Sequence, residues 1–198
     1  ARADLNAQNT FLLNLMSSPG SGKTTMLEGL IARLKSELRI GVMEADIDSA
    51  VDAERIAKTG VRAIQLHTGG MCHLDAGMTE QGLNEIGAAD LDFVILENVG
   101  NLVCPAEFDT GAHKNMMLLS VPEGDDKPLK YPLMFRVCDL VAINKIDKLP
   151  MFDFDLAACT QRIHQLNPNA VVIPISAKTG EGMQTLADEI LKAVQAQK

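Results

Sequence analysis

The 198-residue sequence lacks the features that insert a chain into a membrane or export it. No apolar run approaches the roughly 20 residues that a helix needs to cross a bilayer, and the N-terminus carries no basic, apolar, small-residue leader. Positive charge is also scarce, since 18 Lys and Arg stand against 26 Asp and Glu. The resulting formal charge of −8 provides no general attraction to phosphate backbones or anionic lipids. We therefore expect neither nucleic acid nor a membrane among the partners.

Cysteine is sparse, and its spacing excludes a secreted disulfide scaffold. The four cysteines include no Cys-x-x-Cys pair, whereas small secreted domains are dense in regularly spaced cysteines. We therefore expect a cytoplasmic protein whose thiols are reduced or bound to metal. A chain of this length can bury one α/β core but is short for two domains. The prediction is a single domain over 1–198, with 1–10 as a short polar lead-in.

Short apolar segments alternate with helical patterns along nearly the whole chain. The apolar segments, such as 93–96, are uniformly hydrophobic, which is typical of strands buried on both faces. We predict an α/β fold of three layers, in which helices cover both faces of a mostly parallel central sheet. Ligands bind such sheets beyond the carboxyl ends of the strands. Asp46, His67, Glu97 and Asn144 all stand at predicted strand ends.

A phosphate-binding loop is predicted between the first strand and the helix that follows it. The segment reads Ser17-Ser18-Pro19-Gly20-Ser21-Gly22-Lys23-Thr24-Thr25. The backbone N–H groups of 20–24 and the positive end of the helix would face anionic oxygens. Lys23 would reach the β and γ phosphates, and the Thr24 hydroxyl would coordinate Mg²⁺. Ser17 replaces the usual first glycine; the alternative interpretation is a plain Gly/Ser turn with an exposed lysine.

Two carboxylates at predicted strand ends, Asp46 and Glu97, are the candidate partners of Mg²⁺, which prefers one or two carboxylates together with phosphate and water. Asp46 would complete the metal shell or orient the attacking water, and Glu97 would hold the metal directly or through water. We assign Lys23, Asp46 and Glu97 to catalysis; the alternative for each acid is an exposed loop position. No glutamine or arginine is evidently placed to accelerate hydrolysis, so slow turnover is expected.

The segment Asn144-Lys145-Ile146-Asp147 matches the Asn-Lys-x-Asp signature of GTP-binding proteins. The Asp147 carboxylate can accept two hydrogen bonds from guanine, a donor pair that adenine does not offer. The stem of Lys145 can cover the base plane. A later segment, Ser176-Ala177-Lys178, matches the loop with which GTPases support guanine. These motifs predict GTP and GDP as ligands, whereas the four-residue match alone is also compatible with a surface turn.

Cys72, His73 and Cys104 form a second candidate site. Two thiolates and an imidazole suit Zn²⁺ or Ni²⁺. Both cysteines follow predicted strand ends, so they can converge beside the nucleotide. The residues alone fit two buried cysteines and an incidental histidine at least as well. Cys138 and Cys159 lie in apolar contexts that are typical of core positions.

Three longer motifs resemble the HypB family, the nickel-incorporation GTPases of [NiFe]-hydrogenase maturation. The motifs are Cys72-His73-Leu74-Asp75-Ala76, Glu97-Asn98-Val99-Gly100-Asn101-Leu102-Val103-Cys104-Pro105 and Glu123-Gly124-Asp125-Asp126-Lys127-Pro128-Leu129-Lys130-Tyr131-Pro132. The resemblance runs from Leu13 to the final helix, and the segment 17–20 is similar to the family's own phosphate loop. It implies the dimerising class of P-loop GTPases that includes signal-recognition and metallochaperone members.

The resemblance also implies a function and partners. It implies a GTPase that supports nickel insertion into a hydrogenase large subunit, acts with the small accessory protein HypA, and forms a homodimer when GTP is bound. Cys72, His73 and Cys104 would hold Ni²⁺ or Zn²⁺ at or near the subunit interface, with ligands drawn from one or both chains. Lys127 would reach the neighbouring subunit's nucleotide. The family's N-terminal cysteine-rich motif and histidine-rich tract are absent from this sequence, so nickel storage by such a segment is not expected, and Met71 stands where many relatives carry glycine.

Two alternative functions stay open. A urease-maturation GTPase shares the phosphate and guanine motifs, but its metal motif is Cys-Pro-His rather than the Cys72-His73-Leu74-Asp75 found here. A metal-responsive nucleotide switch with negligible turnover would use the same residues as the GTPase. A partitioning ATPase is disfavoured for two reasons. That group carries an extra lysine in the phosphate loop at the position that Ser18 occupies here, and the motif at 144–147 selects guanine.

Overall fold

The computed structural model describes residues 2–45 and 50–197. Asp46, predicted above as a magnesium and catalytic residue, lies outside the described residues. The strands are β1 (Phe11–Ser17), β2 (Ile40–Glu44), β3 (Arg62–Gln65), β4 (Phe93–Glu97), β5 (Lys114–Ser120), β6 (Leu140–Asn144) and β7 (Val171–Pro174). They form one sheet in the order β3-β2-β4-β1-β5-β6-β7, and every adjacent pair is parallel.

The α-helices of the described chain are α1 (Arg2–Gln8), α2 (Lys23–Leu34), α3 (Ala50–Ala57), α4 (Ala76–Ile86), α5 (Cys104–Glu107), α6 (Lys127–Lys130), α7 (Pro132–Arg136), α8 (Leu156–Leu166) and α9 (Met183–Gln197). Short 3₁₀ segments occupy Ala88–Asp90, Val121–Glu123 and Ile146–Met151. No helix within the described residues is both long enough and apolar enough to cross a membrane.

The central strands are buried on both faces, as their uniform hydrophobicity predicts. Every residue of β1, β2, β4 and β6 is buried. Alternate residues of β1 face opposite layers: Leu13 packs with α2, α3 and α9, whereas Leu12 packs with α1 and α4. Helices α7 and α8 cover the rest of the second face. The three-layer α/β prediction is therefore confirmed, and the sheet is wholly rather than mostly parallel.

Two predicted boundaries differ from the structure, each for a local reason. The apolar spacing after the phosphate loop predicts a helix from about Lys23 to Leu38. Helix α2 ends at Leu34, because the N–H of Glu37 bonds the Leu34 carbonyl at 3.0 Å and tightens the chain into a turn. Strand β3 ends at Gln65 instead of His67. Among the described strands it pairs with β2 alone, and β2 itself ends at the paired residue Glu44.

Residues 2–8 form a docked helix within the segment that the sequence presents as a polar lead-in. Leu5 is 2% exposed and packs in the core with α4. The Arg2 guanidinium donates to the Ala112 carbonyl from Nε at 3.1 Å and from Nη2 at 3.0 Å. Its Nη2 also pairs with Asp109 Oδ1 at 2.9 Å. One buried leucine and one arginine therefore fix α1 to the body of the fold.

Candidate nucleotide and metal sites

The loop between β1 and α2 has the backbone shape of a phosphate cradle. Gly20 (φ 76°) and Gly22 (φ 95°) adopt the left-handed conformation that glycine tolerates best. A Cβ at Gly22 would lie 2.6 Å from Asn144 Nδ2, so a side chain there would collide with the neighbouring strand end. Helix α2 begins at Lys23 without a side-chain cap. The first turn of such a helix is a favourable place for an anion, which fits a bound phosphate.

A cavity of about 290 Å³ opens above this loop. The described residues that line it are Pro19, Gly20, Ser21, Gly22, Lys23, Thr24, Thr25, Glu44, Asp52, Arg55 and Glu97. Lys23 Nζ lies 3.4 Å from Glu97 Oε1, and both side chains are almost fully buried. The Thr24 hydroxyl and the two glutamates are hard oxygen donors of the kind that Mg²⁺ selects. Glu44 was not named from the sequence, although its place as the last residue of β2 is the available signal.

Two serine hydroxyls are buried in the phosphate loop. Ser17 and Ser21 are both 0% exposed. Neither Oγ has a hydrogen-bond partner within the described part of the chain. Polar atoms buried in this way usually have a partner. Two such hydroxyls in one loop are consistent with a binding site in which a polar ligand supplies their hydrogen-bond partners.

Asn144 joins the phosphate loop to the predicted guanine motif. Its Nδ2 donates to the Ser21 carbonyl at 2.9 Å, and its Oδ1 accepts from the Ala177 N–H at 3.0 Å. Lys145 adopts φ 64°, and its Nζ donates to the Gly20 carbonyl at 2.7 Å. The structure therefore brings three separate sequence segments into contact at the carboxyl edge of the sheet.

Asp147 is oriented by the second guanine-loop motif. The Ser176 hydroxyl donates to Asp147 Oδ1 at 2.8 Å and accepts from the Thr179 N–H at 3.2 Å. The carboxylate thus has one oxygen fixed and keeps capacity for further hydrogen bonds. Lys178 is exposed beside this loop. The two segments that predicted guanine recognition are in direct contact.

Lys127 lies apart from the residues described as lining the cavity. It begins α6, and its Nζ lies 5.3 Å from the centroid of the Tyr131 ring. Its contact with a neighbouring subunit's nucleotide stays a prediction.

A residue that the sequence did not single out, Glu123, connects this region to the phosphate loop. Glu123 accepts a hydrogen bond from the Ser18 hydroxyl at one oxygen and from the Ser120 N–H and hydroxyl, at 2.7 and 2.8 Å, at the other.

The two predicted metal-binding cysteines are adjacent in space. Cys72 Sγ lies 2.9 Å from Cys104 Sγ, and the hydrogen bond between the thiols is the main cause that raises the pKa of Cys104. His73 Nδ1 is 3.9 Å from Cys72 Sγ, while the His73 ring stacks on Phe108 with centroids 3.7 Å apart. Within residues 2–45 and 50–197 no three His, Cys, Asp or Glu side chains converge on one metal position. The thiol pair fits a soft metal such as Ni²⁺ or Zn²⁺, and further ligands would have to complete its shell.

Arg55 is a third residue, after Glu44 and Glu123, that the sequence did not single out. It belongs to α3 and lines the phosphate cavity, a position that the sequence does not make evident. Its Nε and Nη2 donate to the two carboxylate oxygens of Glu28 at 3.0 and 2.5 Å, and Nη2 lies 3.4 Å from Thr25 Oγ1. The hydrogen bonding with Glu28 raises the pKa of Arg55 above its usual value. The apolar and alanine spacing over 49–58 predicts a helix in this region, but it does not show which face of α2 that helix contacts.

The model for the family described as "CobW/HypB/UreG, nucleotide-binding domain" matches residues 11–174. Among curated relatives, hydrogenase maturation factor HypB of Azotobacter chroococcum mcd 1 is 49% identical over 182 residues, which are 92% of this chain and 60% of that protein. Hydrogenase/urease maturation factor HypB of Helicobacter pylori strain J99 is 44% identical over 189 residues, 93% of this chain and 77% of that protein. The chain belongs to the HypB family. The resemblance inferred from the motifs is confirmed.

Solved HypB structures share the whole architecture. HypB from Archaeoglobus fulgidus superposes with a TM-score of 0.92 at 37% identity, covering 98% of this chain and 94% of that one. The structure of HypB from Helicobacter pylori in complex with nickel superposes with a TM-score of 0.91 at 41% identity. The match covers 98% of this chain and 92% of that one. The signal recognition particle receptor FtsY from Elizabethkingia anophelis superposes with a TM-score of 0.60 at 17% identity, covering 92% of this chain and 66% of that one. At that identity the match shows a shared fold alone. The predicted P-loop GTPase class of fold is confirmed.

The match to HypB proteins is incomplete in two respects: it covers only part of the relatives' length, and the family model stops before the end of this chain. The chain spans about 60% of the length of the first curated HypB relatives. The family model ends its match at residue 174. The Ser176-Ala177-Lys178 loop therefore lies just beyond it, and its place in the site is carried by the hydrogen bonds of Asn144 and Asp147 described above.

Proposed function

We propose that this chain binds and slowly hydrolyses GTP and couples the nucleotide state to the binding of Ni²⁺ or Zn²⁺. As in the relatives named hydrogenase maturation factor, its role would be nickel insertion into the large subunit of a [NiFe]-hydrogenase. The observation that carries the proposal is Asn144, whose amide connects a phosphate loop to a guanine loop in a chain of the HypB family. Such a connection fixes the distance between the two loops, which a site that holds the phosphates and the base of one nucleotide requires.

The phosphate end of the site would work mainly through positioned charge. The positive end of α2 and Lys23 would hold the β and γ phosphates, and the Lys23–Glu97 pair keeps that ammonium in place before nucleotide enters. Thr24, Asp46 and Glu97 would hold Mg²⁺, which when bound neutralises charge on the phosphates. Asp46 would orient the attacking water. Phosphoryl transfer needs little covalent chemistry from the protein, so positioning by these residues is the expected contribution.

The guanine end would provide specificity. Asp147, oriented by the Ser176 hydroxyl at 2.8 Å, would accept the two donors of the guanine edge. The stem of Lys145 would cover the base while its ammonium bonds the Gly20 carbonyl. Ala177 and Lys178 would complete the pocket behind the base. Adenine offers no matching donor pair, and its binding would leave the Asp147 carboxylate without those partners.

The metal site would be completed by dimerisation. Cys72 and Cys104 contribute two thiols, and the surface around them carries the exposed apolar side chains of Met71 and Phe108. Apolar groups exposed beside an incomplete ligand set suit a second subunit. In the GTP-bound homodimer, His73 or ligands from the other chain would close the shell, and Lys127 would reach the other subunit's nucleotide. The metal is cargo, passed on with HypA to the hydrogenase large subunit.

The coupling has a direct test, because linkage requires that nucleotide state change metal affinity if metal binding changes nucleotide affinity. Ni²⁺ affinity is measured with GDP and with a non-hydrolysable GTP analogue. Different affinities are expected, whereas equal affinities would reject the coupling. Single-turnover GTP hydrolysis by wild type and by Asp46→Ala then separates an enzyme from a switch. The matched control is Asp153→Ala, an exposed acid outside the site.

A second acceptor is a urease. The Helicobacter relative is named as a factor for both hydrogenase and urease, although the Cys72-His73 motif favours the hydrogenase role. Transfer of ⁶³Ni from the loaded protein to the apo large subunit or to apo-urease distinguishes the two. A cytoplasmic location is part of the proposal, since the site uses GTP and the four cysteines are free thiols.

A further inference from the structure

Arg55 occupies the wall of the phosphate cavity, and the function proposed above gives it no part. It stands on α3, opposite the phosphate loop that precedes α2. Its guanidinium is paired side-on with Glu28 and touches Thr25, the residue after the predicted magnesium ligand Thr24. Arg55 is therefore at the phosphate end of the site and not at the guanine end.

The charges around the cavity show why a second cation matters there. The described lining residues include three carboxylates, Glu44, Asp52 and Glu97, but only two cations, Lys23 and Arg55. Lys23 is already close to Glu97. A triphosphate adds negative charge even when Mg²⁺ accompanies it. Without Arg55 the described wall would carry three negative charges and one positive charge toward that anion.

The present partner of Arg55 is one that a phosphate can displace. The side chains of Arg55 and Glu28 are 39% and 31% exposed, so water screens their pair and limits its strength. Two of the guanidinium nitrogens contact Glu28. The third, Nη1, approaches Asp52 Oδ1 only to 3.9 Å, which is too long for a hydrogen bond. The planar fork of an arginine suits phosphate oxygens as well as it suits a carboxylate.

We propose that Arg55 is a residue that senses the terminal phosphate: with GDP it pairs with Glu28, and with GTP its guanidinium turns to the γ-phosphate. Because Glu28 and Thr25 belong to α2, the exchange loosens the contact between α2 and α3. The presence of the γ-phosphate would thereby be passed to α3. This inference rests on the proposed GTP site and assigns to it a residue that discriminates between the two nucleotides.

The test compares two variants that break the same ion pair. Arg55→Gln removes the cation, and Glu28→Gln removes its hydrogen-bonded competitor while leaving the cation with only the longer contact to Asp52. Dissociation constants for GDP and for a non-hydrolysable GTP analogue are measured by titration with a fluorescent nucleotide in the presence of Mg²⁺. Arg55→Gln should weaken binding of the GTP analogue about tenfold and change that of GDP less than about twofold. Glu28→Gln should strengthen binding of the analogue about two- to fivefold, again with little change for GDP.

A matched control and a double variant complete the experiment. Arg39 makes a comparable side-on pair with Asp92 at the start of β2, outside the cavity, so Arg39→Gln should leave both affinities unchanged. The double variant, which carries both Arg55→Gln and Glu28→Gln, should have the same nucleotide affinities as Arg55→Gln alone. Arg55→Lys, which keeps the charge but not the fork, should lose part of the selectivity. Melting temperatures of all variants report whether each protein is folded.

The outcomes separate this inference from the function on which it rests. If both single variants change analogue affinity in the same direction, or neither changes it, the pair is only a structural link between α2 and α3 and the inference is wrong. The same holds if Arg55→Gln weakens GDP and analogue equally. If wild type binds neither nucleotide, the proposed function fails as well. Opposite effects of the two variants on the GTP analogue alone would establish the inference.

Discussion

The side-chain amide of Asn144 donates a 2.9 Å hydrogen bond to the backbone carbonyl of Ser21, across 123 positions of sequence. Asn144 ends β6 and is 2% exposed, and Ser21 lies in the phosphate loop. The other end of the same amide accepts from the Ala177 N–H. One buried side chain therefore sets the spacing between the loop for phosphate and the loop for the base.

Replacing Asn144 should disturb stability and nucleotide binding together. Asn144→Ala leaves the Ser21 carbonyl and the Ala177 N–H without this partner, and each unsatisfied buried group costs about 1–3 kcal/mol. Urea unfolding should show a loss of about 2–4 kcal/mol, and GTP affinity should fall at least about tenfold. Asn144→Asp keeps an acceptor for Ala177 but places another acceptor against Ser21, so it should not rescue the function.

The control for this prediction is Asn169→Ala. Asn169 is exposed in the turn before β7, where substitutions usually change stability by less than about 0.5 kcal/mol. If Asn144→Ala unfolds at the same urea concentration as wild type, the amide does not hold the two loops together.

The two glycines of the phosphate loop should respond differently to alanine. Both have positive φ, which costs a residue with a Cβ about 1–2 kcal/mol. A Cβ at Gly20 meets nothing within 4 Å, whereas one at Gly22 lies 2.6 Å from Asn144 Nδ2. Without nucleotide, Gly22→Ala should therefore lose at least about 1 kcal/mol more free energy of unfolding than Gly20→Ala. Equal losses in chemical denaturation would show that the amide moves aside freely.

The sequence predicts most of the sheet because its strands are buried on both faces. A run such as Phe93–Glu97 is apolar until its last residue, so both the strand and the carboxylate at its end can be read directly. The phosphate and guanine motifs are local in sequence, and their backbone demands, such as the left-handed Gly22, come with the motif. The order of the strands then brings the motifs to one edge.

The contacts that the sequence does not predict are those between helices and between distant loops. Helical periodicity shows that α3 is amphipathic, but the pairing of Arg55 with Glu28 depends on how α3 lies against α2. Glu123 reads as part of a turn, and only the folded chain brings it to Ser18. Similarly, Leu5 looks like one apolar residue in a polar segment until α1 packs it into the core. Such contacts follow from packing directions that no short motif encodes.

Metal binding should depend on the paired cysteines and not on the buried ones. Cys72 and Cys104 have sulfurs 2.9 Å apart, and Cys72 is exposed while Cys104 is half-buried. Cys138 is fully buried, and burial raises the pKa of Cys159 to about 12. Cys72→Ser or Cys104→Ser should weaken Ni²⁺ and Zn²⁺ binding at least about tenfold, since loss of even an outer-shell partner has effects of that size. Isothermal titration measures the affinities.

Alkylation provides an independent measurement on the wild-type protein. Iodoacetamide at neutral pH should modify the exposed Cys72 first and Cys104 more slowly, because Cys104 is half-buried and its raised pKa lowers its thiolate fraction. The two buried thiols should be spared, since the reagent cannot reach them. Added Zn²⁺ should slow the modification of the exposed pair. Cys138→Ala is the control, with unchanged metal affinity. Mass spectrometry that finds equal labelling of all four cysteines in native protein would contradict the assignment.

Stability should decrease below about pH 6.5 through His113, which is held neutral by the fold. Its Nδ1 accepts from the Leu12 N–H at 2.9 Å and its ring stacks on Phe11, while burial, followed by the nearby Arg2 charge, lowers the pKa of His113. The unfolded chain takes up this proton near pH 6.5 and the folded chain only at lower pH, so the contribution is complete above pH 6.5 and is lost as the pH falls. Wild type should lose up to about 1 kcal/mol of unfolding free energy between pH 6.5 and 5.5 from this group. Urea titrations should show a flatter pH dependence for His113→Gln than for wild type, and parallel profiles for the two proteins would refute this role.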